Sequence, residues 1–117
     1  MQYICLIYSN EGSEPPAGTP EFASYMQGYG TFTQSCIKDT SLVHGDALQP
    51  IATATTVKVR DGKTITTDGP FAETKEQLGG YYLLDCEDLD AAIAKAAQIP
   101  TAKFGRIEIR PVVVWDD

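Results

Sequence analysis

Thr67-Asp68-Gly69-Pro70-Phe71-Ala72-Glu73-Thr74-Lys75-Glu76-Gln77-Leu78-Gly79-Gly80 leads directly into Tyr81-Tyr82-Leu83-Leu84-Asp85-Cys86. The first part holds too much Gly and Pro for a regular strand or helix. Asp, Gly and Pro are what a turn needs, but a Glu-Thr-Lys-Glu run directly after them is not. Asp68, Glu73, Lys75 and Glu76 therefore place four ionisable groups in one loop. The second part, 80–86, is aromatic and apolar and reads as a strand. A loop dense in chemistry that feeds a core strand divides the chain, and the remaining elements fall on either side of it.

Upstream, 54–59 and 63–67 flank Arg60-Asp61-Gly62, and Asp-Gly between two β-type runs signals a hairpin. Residues 42–48 read as a further strand. Residues 3–8, Tyr-Ile-Cys-Leu-Ile-Tyr, are apolar at every position, as a central strand covered on both faces would be. Between these two strands, Thr19-Pro20-Glu21 supplies an N-cap, a first-turn Pro and a first-turn carboxylate. The helix it opens, 20–37, carries Phe22, Met26, Tyr29, Thr33 and Cys36 at helical spacing, with Tyr25 and Phe32 flanking the stripe. Gly28 and Gly30 weaken that helix, and their expected use is close approach to a neighbour. Downstream, Asp88 caps a helix over 89–98 with an apolar face of Leu89, Ala92, Ile93 and Ala96, stopped by Pro100. The last strand is expected over 106–115, with Ile107, Ile109, Pro111 and Val113 on one face and pairing that weakens or ends at Pro111.

The order is β-α-β-hairpin-β-α-β. Two helices over an antiparallel sheet of four principal strands give an α+β, ferredoxin-like layer, with the hairpin as an insertion. Helices can cover only one sheet face, and the other face is also apolar. A homodimer through that open face, forming an α+β barrel, is the expected solution.

With 117 residues the chain makes one domain, 1–117, with a single core. Its net charge of −7 argues against a nucleic-acid surface. Cys5, Cys36 and Cys86 are odd in number, without metal spacing, and sit in apolar patterns. Buried reduced thiols are expected. No segment has the features of a signal peptide or the length of a membrane span, so a cytoplasmic, membrane-free location is expected. No nucleotide motif or metal-ligand spacing occurs, so neither metal nor cofactor is expected.

The run 67–76 followed by Gly79-Gly80-Tyr81-Tyr82 closely resembles the signature of the YCII-related family, in its DGPF-motif branch. The resemblance continues through Tyr3-Ile4-Cys5-Leu6-Ile7-Tyr8, Gly45-Asp46-Ala47-Leu48-Gln49-Pro50, Ala54-Thr55-Thr56-Val57, Asp88-Leu89-Asp90-Ala91-Ala92-Ile93 and Ile107-Glu108-Ile109-Arg110-Pro111. It implies a dimeric α+β barrel. The wider superfamily implies metal-free small-molecule chemistry of the lactone isomerase, dehydrochlorinase or oxygenase kind. The branch also implies an association with extracytoplasmic-function sigma factors. Some relatives pair a His on the first helix with an Asp on the loop before the third main strand. Asp68 occupies a comparable loop, but helix 20–37 has no His, and Tyr25 and Tyr29 are its proton-exchanging groups.

Two functions follow as expectations. In the first, an isomerase or lyase-type enzyme without cofactor uses Asp68 to move a proton while Lys75 or Arg110 stabilises an oxyanion. Tyr29, Phe71, Glu73, Lys75, Glu76 and Arg110 would bind an unidentified small molecule. In the second, the chain is a non-catalytic ligand-sensing or partner-binding module tied to transcription, and the charged loop is a protein contact. The residues leave both open. Asp68 can equally cap its own turn, Glu73, Lys75 and Glu76 can be a solvated cluster, Phe71 can plug the barrel end, and Arg110 can form an ion pair. His44, the sole histidine, reads as a partly exposed strand residue.

Overall fold

A computed structural model describes residues 1–115 of the chain. Six strands and two helices follow in order: β1 (Gln2–Ser9), α1 (Pro20–Lys38), β2 (Leu42–Ala47), β3 (Thr55–Arg60), β4 (Lys63–Asp68), β5 (Gln77–Asp85), α2 (Leu89–Ala96) and β6 (Arg106–Pro111). Short 3₁₀ turns at Ile51–Thr53 and Pro100–Lys103 precede β3 and β6. The main sheet runs β2-β5-β1-β6 with every neighbouring pair antiparallel. This is the α+β, ferredoxin-like order, and β3 and β4 form a separate two-stranded sheet.

Local chemistry explains the element ends. The Thr19 side chain accepts the Phe22 amide at 3.1 Å, and Pro20 opens α1. Asp88 accepts from the Ala91 amide at 2.9 Å to start α2. Asp61 at φ 52° and Gly62 at φ 74° turn β3 into β4, the left-handed pair that a two-residue hairpin requires.

One sheet face packs on the helices. Tyr3, Cys5 and Ile7 of β1, Tyr82 and Leu84 of β5, Phe32 and Cys36 of α1, and Ala92 and Ala96 of α2 form its centre. All three cysteines are free and buried, and burial pushes the Cys5 thiol up to about 11. On the opposite face Ile4, Leu6, Tyr8, Tyr81 and Leu83 are only half-buried. The register places Arg110, Glu108 and Arg106 opposite Ile4, Leu6 and Tyr8 on that same face.

The structure departs from the sequence reading first in the run 67–80, where Thr67 and Asp68 belong to β4 and β5 already begins at Gln77, and then in three further details. Strand β6 ends at Pro111, the residue at which pairing was expected to weaken or end, and does not reach 115, because its partner β1 begins at Gln2; the Val112 amide still donates to the Gln2 carbonyl at 2.9 Å. Val113 accordingly lies outside the sheet and is exposed. Helix α2 stops at Ala96 and buries Ala92 and Ala96, while Leu89 and Ile93 are both half exposed. Small alanines let that helix approach the sheet closely. On α1 the flanking Phe32 is a core residue, whereas Met26 is half exposed.

The helices are also tied to each other. Lys95 of α2 pairs with Asp39, the C-cap of α1, and Ser41 donates its amide to Asp39 at 3.0 Å. The Lys95 ammonium and the Ser41 groups lower the Asp39 carboxyl to about 2. A carboxylate depressed in the folded state adds stability above its unfolded pKa and loses it as pH falls toward the folded value. The pair is partly exposed, so its worth is about 0.5–1 kcal/mol. Asp39→Asn should cost about that much at neutral pH, and the difference from wild type should vanish between about pH 4 and 2. Urea titrations across pH test this.

Candidate functional site

The sheet and α1 do not close completely. A cavity of about 440 Å³ opens between them, at the end where β1, β2 and β5 meet their loops. One wall is the α1 stripe of Phe22, Tyr25, Met26, Tyr29 and Thr33, whose i, i+3 and i+4 spacing puts them on one side of the helix. The other wall is Ile7, Leu42, Tyr82 and Gly80, and Thr101 of the 3₁₀ turn contributes a further side chain.

Hydroxyl groups dominate the polar lining. Tyr25 and Tyr29 both reach the buried Thr101 Oγ1, at 2.7 and 2.5 Å. Thr101 can donate to one phenol and accept from the other, so both contacts can be satisfied. Thr33 Oγ1 meets the Tyr82 hydroxyl at 2.7 Å. The rings support one another: Tyr25 is edge-on to Tyr29 at 5.3 Å, Tyr29 stacks on Tyr82 at 6.5 Å, and Phe32 meets Tyr82 edge-on at 5.0 Å. Gly45 makes room for this arrangement, because a Cβ there would lie 2.6 Å from Tyr82 Cδ1 and 3.0 Å from the Tyr81 carbonyl oxygen.

Burial shapes the electrostatics. It raises the Tyr29 phenol well above the ordinary tyrosine range, and it raises Tyr82 as well. Both are neutral phenols across the physiological range. The carboxylates in the lining, Glu14 and Asp46, are exposed. The interior can thus donate and accept hydrogen bonds and stack an aromatic or planar ligand. It offers no buried charge to a charged one.

A raised phenol pKa destabilises the folded state once pH exceeds the unfolded value near 10, because only the unfolded chain then releases the proton. Phenolate absorbance against pH should show Tyr29 and Tyr82, of the six tyrosines, ionising only together with unfolding. The same scan by circular dichroism locates that unfolding.

The residues singled out in the sequence are dispersed. Tyr29 lines the cavity. Asp68 is the last residue of β4, paired with Thr55 and exposed; its side chain has no hydrogen bond or ion pair among the described residues. Phe71 is 90% exposed and Glu73 is exposed. Lys75 and Glu76 border a separate depression of about 640 Å³ with Tyr8 and Glu108, and Glu76 pairs with Arg106 at 3.1 Å. Arg110 stands on the open face opposite Ile4. No residue of 67–76 lines the hydroxyl cavity. Gly28 approaches Pro100, where a Cβ would be 3.2 Å from Cγ; Gly30 faces open space.

Sequence reasoning missed Thr33, Tyr82 and Thr101 as site residues. The i, i+4 pair Tyr25–Tyr29 was the available signal, since two phenols on one helix face need polar partners wherever they are buried. Nothing in the sequence ties Thr101 to them. On the open face, the Tyr81 hydroxyl lies 2.6 Å from His44 Nδ1, and His44 Nε2 lies 3.5 Å from Asp46 Oδ2, so His44 is an exposed, partnered strand residue.

The chain is 34% identical over 117 residues to an uncharacterised protein of Rhizobium meliloti (strain 1021), covering 98% of this chain and 94% of that one. The sequence profile of the YCII-related domain matches residues 1–116. With that match across nearly the whole chain, the protein belongs to the YCII-related family.

Proposed function

We propose that this chain binds a small, uncharged, largely planar molecule carrying one or two oxygen atoms, in the cavity beneath α1. The observation that carries this reading is the combination of apolar walls with neutral hydroxyls, two of them phenols that meet at the buried Thr101 Oγ1. A ring would stack on Tyr29 and Tyr82, and an oxygen substituent would exchange hydrogen bonds with the Tyr25, Tyr29 and Thr101 group. Binding without an assigned reaction makes the domain a ligand-sensing module on this reading. Three buried thiols suit a reducing cytoplasm.

Catechol is a suitable probe, being neutral, planar and doubly hydroxylated. A fragment of that size should bind at about 1 mM, or about −4 kcal/mol. Met26→Trp, a replacement at an exposed position that fills the mouth, should weaken saturation-transfer signals from catechol about tenfold or more. Equal signals from both proteins would count against the cavity.

The enzymatic reading, proton transfer by Asp68, has one observation in its favour: the carboxylate is exposed, and without a partner among the described residues, at the end of a projecting strand. Within a single chain it does not border the cavity. That reading therefore depends on a second copy, and Asp68→Asn should leave catechol binding to the isolated cavity unchanged. For the assembly, we infer a homodimer through the half-buried face of Ile4, Leu6, Tyr8, Tyr81 and Leu83, which no element among the described residues covers.

A further inference from the structure

The β3–β4 hairpin stands away from the body. All its residues except Thr56 are exposed, although β-branched residues fill it. Its register sorts them into two faces. Val57 and Val59 lie opposite Thr66 and Thr64 on one face; Lys58, Arg60, Lys63 and Ile65 lie on the other. Val57 and Val59 are 59% and 58% exposed. The tail beyond β6 repeats the pattern, with Val113 and Val114 exposed and Trp115 83% exposed. These projections widen the molecule. Its radius of gyration is 16.4 Å over extents of 48 × 48 × 19 Å, against about 13 Å for a compact chain of this length. A two-stranded hairpin alone is at best marginal in water, and exposed valine ladders are a liability unless covered.

We propose that the β3–β4 arm and the 112–115 tail clasp a second copy of this chain, with the Val57–Val59 face of the arm seated on that copy. The inference rests on the homodimer reading above and adds the elements that hold it.

Two arguments select a second copy as the occupant. The first is charge. The arm carries three basic residues and two acidic ones, whereas the rest of the chain carries six basic and fourteen acidic. Lys58, Arg60 and Lys63 stand on the arm's other face, with Asp68 on the valine side, so this charge steers the approach of an anionic second copy and forms no part of the seated face. The second is area. Four strands of about six residues, at spacings of about 4.8 and 3.3 Å, present a face of roughly 400 Å² per copy. Two such faces bury roughly 800 Å², short of the roughly 1,200–2,000 Å² of a stable interface. One arm face adds roughly 200 Å². Two arms and the surfaces they cover bring the total to roughly 1,600 Å², which is the standard size.

Sedimentation equilibrium of the purified chain and of the double variant Val57→Glu/Val59→Glu, from about 1 to about 100 µM, tests the proposal. Both valines are exposed within the chain, so the far-ultraviolet circular dichroism of the variant should match wild type. Wild type should be a dimer, and the variant should dissociate at least about 100-fold more readily. Dilution of wild type should shift the emission of Trp115, the sole tryptophan, to the red. Should the glutamates disturb the hairpin, Val57→Thr/Val59→Thr keeps its shape and should still weaken the dimer about tenfold. A wild-type monomer at the highest concentration would overturn both the dimer and the clasp. A variant dimer as tight as wild type would overturn the clasp and leave the open-face dimer standing.

Discussion

Leu84→Ala should cost the protein about 3–5 kcal/mol of stability. Leu84 is fully buried in β5, a strand flanked by β1 and β2, and points at the helices beside Tyr82 and Cys86. Truncation removes the transfer free energy of the lost carbons and leaves a cavity that a sheet clamped on both sides cannot collapse. Denaturant titration should show the midpoint falling with little change in slope. Leu83, its neighbour on the open face, is half-buried in one chain. Leu83→Ala should cost the fold less than half as much, and its larger effect should be on dimer dissociation.

Gly105→Ala should cost about 3 kcal/mol and lower the melting temperature by about 10 °C. A Cβ at Gly105 would lie 2.2 Å from the Tyr8 carbonyl oxygen, 2.9 Å from Ser9 Cβ and 3.0 Å from Thr101 Cγ2. The first of these is backbone in a paired strand, so the contact cannot be relieved by a side-chain rotation. Either β1 or the turn before β6 must move. That turn carries Thr101, whose hydroxyl joins Tyr25 and Tyr29. The substitution should therefore disturb the cavity together with the fold, and lost stability should be accompanied by lost catechol binding. Differential scanning calorimetry supplies the first quantity and ligand titration the second.

The fold was legible because its signals are local and mutually consistent. The Thr19-Pro20 cap, the Asp61-Gly62 turn, the Asp88 cap and the alternating apolar strands each mark an element that the structure contains. The misplaced boundaries are tertiary in origin. Pro111 marked where pairing weakens or ends, and the extension to Trp115 failed because β1 offers no partner beyond Gln2. The buried side of α2 follows from how closely Ala92 and Ala96 approach the sheet, not from the bulk of Leu89 and Ile93. The site was less legible for a related reason. Charge density in 67–76 stands out along the sequence, whereas Tyr29, Thr33, Tyr82 and Thr101 converge only after α1, β5 and the turn at Pro100–Lys103 pack together. A pocket of neutral hydroxyls leaves no ionisable run in the sequence to mark it.

The central claim is that the cavity beneath α1, and not the charged loop, receives the ligand. Backbone amide chemical-shift mapping during a catechol titration tests it most directly. The account predicts saturating shifts at Ser9, Tyr29, Thr33, Tyr82 and Thr101, with Asp68 and the segment 69–76 unaffected. Shifts confined to Asp68, Phe71, Lys75 and Glu76, with the α1 and β5 signals unmoved, would contradict it.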